Sequence, residues 1–435
     1  MGKNQTFIQH LKDFEGQNVS LRGWVYLLRS SGKISFLVLR DGSGYCQCIF
    51  SDQFSEEATL KSFKDLSLES SVEIHGKVKK WKDSFEIEVH TCSILSKSIS
   101  YPIGKKSHGV DFLMGQRHLW LRSKKQKSIM SIRNELIQQI HKFFQKEGFL
   151  HIDAPLLTPN SCEGTSSLFS VDFFDKEQVY LSQSGQLYME AAAAAYGKAY
   201  CFGPTFRAEK SSTRRHLLEF WMIEPEMAFY NQEDAIDLAE KFLEFVIQNT
   251  LKNRGEDLKI LERNTKELEK IKTPFPKISY QEACDILKKN SNTFKPGKDL
   301  GGSDETIISS QFEQPVFIHH YPKNIKAFYM KEDPENQELS LSFDLIGTEG
   351  YGEIIGGGQR EDSLEILEAK IQKHQLNKKD FEWYLDLRRY GSFPHSGFGL
   401  GLERLVSWVC GLDHVRESIP FPRVYGRTFF EKGSS

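Results

Sequence analysis

A chain of 435 residues with 39% hydrophobic content can bury one large core and a smaller one, so we expect two or three domains. The formal net charge of -2 excludes a polycation, so contact with nucleic acid requires local basic patches. We find no opening signal peptide and no apolar run of 18 residues, and we therefore expect a cytoplasmic protein that neither is secreted nor spans a membrane.

The first predicted domain is a small β-barrel over residues 1–100. Short β-rich runs fill residues 19–94, and one helical stretch lies near residues 56–64. This order of strands and helix is typical of a five-stranded OB barrel, whose open face commonly binds single-stranded nucleic acid. Phe36 could stack on an unpaired base and Gln47 could hydrogen-bond its edge, although a core ring and a solvated amide explain the pattern at least as well.

A linker over residues 101–112 precedes the second predicted domain, residues 113–435. Apolar residues recur at a helical period from Ser131 to Glu147, and Gly148 ends the pattern, which predicts an amphipathic helix. An extended run from Phe149 to Pro159 follows the helix. The pair could pack within one subunit or form an interface between two.

Two short segments of the second domain carry polar groups that could meet a ligand. The small-residue loop from Cys162 to Ser167 includes Glu163 and could close over a ligand. The segment after Tyr180 predicts a strand, a turn and a helix. Ser184 and Gln186 lie at the corner between that strand and that helix.

The stretch from Phe202 to Phe229 predicts two strands joined by a basic loop. Alternation puts Phe220, Met222 and Glu224 on one face of the second strand, and a buried carboxylate there needs a cationic or N–H partner. Four basic residues lie in the loop: Lys210, Arg214, Arg215 and His216. Such a loop suits a ligand with several phosphates, although an exposed hairpin with a solvated tip fits the spacing equally well.

The remainder of the chain predicts a sheet with one inserted segment. Residues 251–313 form a charged helical insertion, in which we recognise solvated faces and no chemistry. Predicted strands follow at residues 315–322, 327–333, 339–347 and 351–362. Closely spaced strands favour an α+β fold, with helices packed on a mainly antiparallel sheet. The chain has no Walker A or GxGxxG helix-entry motif, so any ATP binding must depend on this sheet.

Two motifs resemble those of a known family. The pattern FRxE at residues 206–209, the basic loop and HxxxF at residues 216–220 resemble motif 2 of the class II aminoacyl-tRNA synthetases. GFGLGLER at residues 397–404 resembles their motif 3. The likeness covers nearly the whole chain, and the aspartyl, asparaginyl and lysyl subgroup is the most similar. The helix from Ser131 to Glu147 and the Pro-containing extended run after it resemble motif 1, which implies a homodimer.

The resemblance implies that a substrate carboxylate attacks the α-phosphorus of ATP and that pyrophosphate leaves. Positioning and charge neutralisation dominate such a reaction, so arginines and a divalent metal are expected. Arg207 and Arg404 are the implied catalytic residues: Arg207 bridges the substrate carboxylate and the α-phosphate, and Arg404 holds the γ-phosphate. The implied ATP contacts are Arg207, Glu209, Arg214, His216, Leu217, Phe220, Glu353 and Arg404.

Glu353 and Asp344 are the Mg²⁺ ligands that the resemblance implies, because hard oxygen ligands suit this ion. From the residues alone, Glu353 could equally pair with a surface lysine. The glycines at residues 356–358 favour close approach of a ligand to the backbone. The chain departs from many aspartyl relatives in having Gly356 instead of serine and two extra residues between the carboxylates.

Charge decides which amino acid the implied site accepts. Arg360 matches the arginine that reaches the substrate side chain in aspartyl and asparaginyl enzymes, and Met189 replaces a lysine of the aspartyl enzymes. Without that lysine, Glu190 and Glu224 disfavour a carboxylate and offer acceptors to an amide NH₂, which favours asparagine. The implied amino-acid contacts are Glu163, Ser184, Gln186, Glu190, Glu224, Gly357 and Arg360.

The implied reaction is ATP-dependent ligation of L-asparagine to tRNA(Asn), with release of AMP and pyrophosphate. On the barrel, the resemblance implies anticodon contacts by Arg22, Arg29, Phe36 and Gln47. Two alternatives stay open. The first is an aspartyl or non-discriminating aspartyl/asparaginyl enzyme, and the second is a non-catalytic tRNA-binding paralogue.

Overall fold

Two structural units make up the chain in the computed structural model, Met1–Gly109 and Val110–Ser435. The structure describes residues 5–104, 106–159, 162, 168–174, 177–211, 213–290 and 294–427. Each unit has its own apolar core. No described helix combines the length and the apolar composition that a membrane span requires.

The first unit is a closed barrel with the strand order β1-β2-β3-β5-β4. Its elements are β1 Asn18–Ser31, β2 Ile34–Arg40, β3 Tyr45–Phe50, α1 Glu57–Phe63, β4 Ser71–Trp81 and β5 Ser84–Ser96. Alternation turns Leu37 and Cys48 into the barrel, whereas Phe36 and Gln47 stay half-buried on the other face. The predicted five-stranded barrel, with a helix after its third strand, is confirmed.

The main sheet of the second unit has eight strands in the order β12-β13-β14-β15-β16-β11-β10-β6. Their bounds are β6 Leu150–His151, β10 Lys198–Phe206, β11 Glu219–Ala228, β12 Lys277–Ser279, β13 Val316–His319, β14 Ser342–Gly347, β15 Gly352–Gln359 and β16 His395–Gly401. Only β12 with β13 and β10 with β6 pair in parallel among these strands. The predicted α+β fold with a mainly antiparallel sheet is confirmed.

A smaller sheet and a set of helices complete the second unit. The smaller sheet has the order β7-β9-β8, with β7 Leu157–Thr158, β8 Ser170–Phe173 and β9 Glu177–Leu181. The helices are α2 Val110–Gly115, α3 Arg117–Trp120, α4 Lys124–Lys146, α5 Gln186–Tyr196, α6 Gln232–Asn253, α7 Gly255–Ile260, α8 Lys266–Glu269, α9 Tyr280–Asn290, α10 Gly302–Ser309, α11 Leu364–Lys373, α12 Glu382–Arg389 and α13 Leu402–Cys410. Buried side chains of α4, α6 and α13, among them Phe144, Phe242 and Trp408, join sheet residues in the main core. The long helices therefore support the sheet that carries the motif residues.

The second unit differs from the sequence prediction in three elements. Helix α4 begins at Lys124, before the predicted Ser131, because the Ser123 side chain accepts a hydrogen bond from the Gln126 N–H and caps the helix. The predicted strand over residues 327–333 is wrong, since this segment makes only isolated bridges such as Met330 with Arg360. The insertion adds β12 to the edge of the main sheet, which its charged helical pattern did not indicate.

Candidate active site

A cleft of about 690 Å³, partly open to solvent, lies over β11, β15 and β16 of the second unit. Its lining residues are Arg207, Glu209, Arg215, His216, Leu217, Phe220, Met222, Glu353, Ile354, Gly399, Gly401, Glu403, Arg404 and Val415. All of the predicted ATP contacts except Arg214 are in this set. The tertiary structure thus brings together residues that are up to 197 positions apart, from Arg207 to Arg404.

The glycines of β16 leave space at the floor of the cleft for the side chain of Met222. Met222 of β11 pairs with Gly401 of β16, and a Cβ at Gly399 would come within 2.8 Å of the Met222 Cε. Phe220 lies on the same face of β11, as the alternation predicts, and the Arg207 guanidinium carbon lies 5.4 Å from its ring centroid. The cleft therefore combines a flat apolar surface with a cation beside it.

The charged groups at the mouth of the cleft are loosely paired. Arg404 Nη1 donates to the backbone oxygen of Glu353 and lies 3.7 Å from its Oε2. The Nε2 of His216 lies 3.9 Å from the Oε2 of Glu209, and burial lowers the pKa of this imidazole. Long distances and partial exposure leave these groups able to turn toward an incoming charged ligand.

The basic loop directs Arg215, and not Arg214, toward the cleft. Arg214 instead lines a neighbouring cavity with Glu349 and Tyr351. Neighbouring residues of a turn point in different directions, so the sequence alone could not distinguish the two arginines. Arg215 Nη1 donates to Glu305 Oε2 at 2.9 Å, which brings helix α10 of the insertion to the edge of the cleft.

This contact corrects the interpretation of the insertion as a set of solvated helical faces. Glu305 is largely buried, and its burial, with the charge of Glu353, raises its pKa to about 7. Burial also lowers the pKa of the Arg215 guanidinium. The contact of Glu305 with Arg215 had no signal in the sequence, because the two residues lie 90 positions apart.

Asp344 and Glu353 converge above Gly356. A Cβ at Gly356 would lie 2.6 Å from Glu353 Oε1 and 3.4 Å from Asp344 Oδ1, so the glycine leaves a cradle between the carboxylates. The pairing of β14 with β15 is irregular: Leu345 faces Ile355 and Ile346 faces Glu353, so Ile354 is an extra residue in β15, and Asp344 faces Gly356.

The two carboxylates fit a hard divalent cation whose other ligands come from phosphate and water. Lys326 Nζ contacts Asp344 Oδ2 at 2.6 Å, and burial raises the pKa of Asp344 to about 6. The described residues contain no group of three or more His, Cys, Asp or Glu side chains that could hold a metal.

Glu224 lies buried where β11 meets the start of α5. Its Oε1 accepts from the Ser184 hydroxyl, and its Oε2 accepts from the Gly185 N–H at 2.8 Å. The buried carboxylate therefore has the N–H partner that the sequence predicts for it. Ser184 Oγ also accepts from the Gln186 N–H at 3.1 Å, so the predicted polar corner is fixed by its own hydrogen bonds.

Glu190 is fully buried and already has partners on both oxygens. Its Oε1 accepts from Gln186 Nε2 at 3.0 Å and from the Tyr384 hydroxyl at 2.8 Å. Its Oε2 lies 2.7 Å from Arg388 Nη2 and 2.8 Å from His395 Nε2. Burial opposes ionisation, but Arg388 and His395 hold the pKa of Glu190 well below its usual value. These contacts favour an indirect role for Glu190, through Gln186, over the predicted contact with an amide.

Arg360 forms a buried two-point ion pair with Glu226. Its Nε donates to Glu226 Oε1 at 3.0 Å and its Nη2 donates to Oε2 at 2.9 Å. Burial raises the pKa of Glu226. Burial opposes the charged form of Arg360, but the charge and hydrogen bonds of Glu226, together with the charge of Glu190, raise the pKa of Arg360. Sequence reasoning missed Glu226, although the alternation that gave Met222 and Glu224 would have found it two residues further on.

Three other predicted residues of the amino-acid pocket have different outcomes. Glu163 lies outside the described residues. A Cβ at Gly357 would lie 2.6 Å from the Gly397 carbonyl oxygen, so the sheet itself requires glycine there. Met189 belongs to a small apolar cluster with Ala199 and Cys201.

Three of the four predicted anticodon contacts form one group on the barrel. The Arg29 guanidinium carbon lies 4.6 Å from the Phe36 ring centroid, and Arg29 Nη2 donates to Gln47 Oε1 at 2.6 Å. Arg22 lies earlier on β1 and pairs with Glu73 of β4 at 2.9 Å. The structure thus groups a ring, an amide and a cation without Arg22.

Comparison with known families gives two matches. Residues 109–425 match the model of the class II tRNA synthetases (D, K and N), and residues 19–95 match that of the OB-fold nucleic acid binding domain. The two matched ranges correspond to the sheet-based unit and the barrel.

Relatives and solved structures extend over nearly the whole chain. The chain is 52% identical to the asparagine–tRNA ligase of Desulforamulus reducens, covering 98% of this chain and 99% of the relative. It is 53% identical to that of Sorangium cellulosum, covering 95% and 96%. The crystal structure of Pyrococcus horikoshii asparaginyl-tRNA synthetase, complexed with asparaginyl-adenylate, is similar with a TM-score of 0.95 and 40% identity, covering 99% of this chain and 100% of that chain.

Proposed function

Because the chain belongs to the class II tRNA synthetases of the aspartate, lysine and asparagine group, we propose that it ligates L-asparagine to tRNA(Asn) through an asparaginyl adenylate, releasing AMP and pyrophosphate. The family predicted from the two motifs is confirmed. Relatives at 52% and 53% identity that are named asparagine–tRNA ligases support the choice of amino acid. The structural observation that carries the proposal is the buried pair of Arg360 and Glu226.

This pair explains how the site would distinguish asparagine from aspartate. A carboxamide presents one acceptor and one donor, which match a guanidinium and a carboxylate. Aspartate would place a second anionic oxygen beside Glu226, in a buried region where an unpaired charge is costly. Shape differs little between the two ligands, so this polarity would supply the discrimination.

The arginines of the cleft would position and neutralise ATP. Adenine would stack on Phe220, with Arg404 on its other face, and Glu209 would accept from its amino group. Arg207 lies beside Phe220 and would bridge the α-phosphate and the carboxylate of asparagine. Holding both reactants in line replaces a bimolecular encounter by an intramolecular one, which is the main catalytic contribution expected here.

The residues also indicate where a metal would act. Asp344 and Glu353 would hold Mg²⁺ against the phosphates, where the ion neutralises the charge of the leaving pyrophosphate. His216 and Arg215 would contact the same phosphates from the basic loop. We propose Arg215 in place of the predicted Arg214, because only Arg215 lines the cleft.

We further propose that the enzyme is a cytoplasmic homodimer that reads the anticodon with its barrel. Phe36, Arg29 and Gln47 offer a stacking ring, a cation and an amide within one group. The extended segment after α4, which belongs to predicted motif 1, exposes Leu150 and Leu157, and apolar side chains of this kind suit a subunit interface.

ATP–pyrophosphate exchange by the purified protein tests the proposal. We expect exchange that depends on asparagine and on Mg²⁺, and a value of kcat/KM for aspartate at least 100-fold lower, because matched buried polar groups give ratios of this order. Comparable exchange with both amino acids would replace the proposal by a non-discriminating enzyme. Absence of exchange with any amino acid, together with binding of tRNA, would indicate a non-catalytic paralogue.

A further inference from the structure

The insertion at residues 251–313 reaches the nucleotide cleft through Glu305 on helix α10. We propose that Glu305 is a positioning residue for ATP, which holds the Arg215 guanidinium at the edge of the cleft so that its charge acts on the phosphates. This inference rests on the proposed function. It assigns a role in nucleotide binding to a segment whose sequence indicates only solvated helices.

The contacts of Arg215 come from two separate parts of the chain. Nη1 donates to Glu305 Oε2 at 2.9 Å and to the Gly302 carbonyl at 3.4 Å. Nη2 donates to Thr306 Oγ1 at 3.2 Å and to the Gly350 carbonyl. A guanidinium is planar and has five N–H groups, so these four contacts on the two terminal nitrogens fix its plane, and the Nε–H is the fifth donor.

Glycines on both sides provide the space for this ion pair. A Cβ at Gly302 would come within 2.6 Å of Arg215 Nη1, and a Cβ at Gly352 would come within 2.7 Å of the same atom. The Gly352 Cβ would also overlap Glu305 Oε2. Exposed ion pairs need no such space and contribute little, whereas the Arg215 and Glu305 side chains are only 17% and 12% exposed.

The pair is also connected to the carboxylates of the cleft. Gly352 and Gly350 belong to the turn and strand that lead directly to Glu353, and Arg215 holds the Gly350 carbonyl. Arg215 itself precedes His216 in the basic loop. Glu305 therefore fixes the loop that would bind the phosphates and the turn that leads to the proposed metal ligand, in one set of contacts.

Two substitutions test the inference by different means. Glu305→Gln keeps the side-chain shape and removes the charge. Gly302→Ala keeps every charge but pushes the end of the Arg215 side chain out of place. For both variants we expect the KM for ATP in asparagine-dependent exchange to rise about ten-fold, which is the typical effect of losing a charged hydrogen bond. The kcat and the KM for asparagine should stay within about two-fold of wild type.

Gly301→Ala is the matched control, since a Cβ at Gly301 meets only Asp304 Oδ2 at an ordinary 3.5 Å. It should leave the KM for ATP unchanged. An unchanged KM for ATP in both test variants would overturn the inference. So would a lower KM for ATP, which would mean that Glu305 restrains Arg215, or a lower kcat with an unchanged KM. The midpoint of thermal unfolding identifies a variant that does not fold. The KM for ATP of the other test variant then decides whether the inference holds.

If the proposed function is wrong, the result is different, because the wild-type protein then shows no asparagine-dependent ATP–pyrophosphate exchange. Calorimetric titration with ATP and Mg²⁺ then decides the inference: we expect an approximately ten-fold higher Kd in Glu305→Gln and Gly302→Ala than in wild type. Equal Kd values in wild type and both variants would refute the positioning role.

Discussion

Arginine–glutamate pairs occur in the nucleotide cleft and in the buried network next to α5, and they differ in distance and exposure. In the cleft, Arg404 and Glu353 lie 3.7 Å apart, with side chains 30% and 41% exposed. In the buried network, Arg388 and Glu190 lie 2.7 Å apart and are almost fully inaccessible to solvent.

The difference agrees with the ligands that we propose for the two regions. A ligand with several phosphates brings its own charge, so a loosely paired arginine can turn toward it at little cost. A neutral amide brings no charge, and only fixed, fully satisfied donors and acceptors can select its polarity. Removing a member of the cleft pair should therefore change activity, whereas removing a member of the buried network should change stability first.

The largest effect is expected for Glu190→Gln. Loss of this carboxylate leaves Arg388 buried without its counter-charge, which should lower the free energy of unfolding by about 3–5 kcal/mol. Chemical denaturation, monitored by circular dichroism, measures the change. A loss below about 1 kcal/mol would contradict the view that the network holds the fold in this region.

The same pair gives a pH dependence with a defined sign. Because the folded state lowers the pKa of Glu190, the pair stabilises the protein above the ordinary glutamate value of 4.5 and loses this contribution as the pH falls into the acid range. Glu190→Gln should therefore show a smaller loss of stability on acidification than wild type.

Arg404→Ala should lower activity and leave stability almost unchanged, in contrast to Glu190→Gln. We expect kcat/KM in ATP–pyrophosphate exchange to fall by about 10²–10³, as for the loss of a charged group that stabilises a transition state. The free energy of unfolding should change by no more than about 0.5 kcal/mol, because the side chain is partly exposed. Chemical denaturation and ATP–pyrophosphate exchange, measured on the same preparation, test both expected values. A large loss of stability would contradict the contrast between the cleft pair and the buried network.

A smaller effect is expected for Met189→Lys, which adds a cation where the network meets the apolar cluster around Cys201. The cation offers a partner to a carboxylate, so kcat/KM for asparagine should fall about ten-fold and that for aspartate should rise. Tyr196→Lys on the exposed end of α5 is the control and should leave both values unchanged. Identical kinetics for the two amino acids in Met189→Lys and wild type would place residue 189 outside the pocket.

Local patterns predicted much of the fold and part of the cleft. The alternation in β11 gave the face of Phe220, because a strand repeats every two residues. For Phe36 and Gln47 the pattern left a core ring and a solvated amide open, and the structure places both half-buried on the other face of the barrel strands. The choice between Arg214 and Arg215 was not predictable, since the direction of a side chain in a turn depends on contacts with distant segments. The ion pair of Glu190 with Arg388 was not predictable for a similar reason, because Arg388 lies 198 residues away.

The barrel, the mainly antiparallel sheet and the motif residues that identify the family could be read from the sequence, because these depend on short-range periodicity and on residue types at fixed spacing. Which charged side chains meet became clear from the folded chain. The contact of Glu305 with Arg215 and the pair of Arg360 with Glu226 join segments that are 90 and 134 residues apart in the chain. Electrostatic partners are selected by distance and burial in the folded protein, and neither quantity is encoded in local sequence.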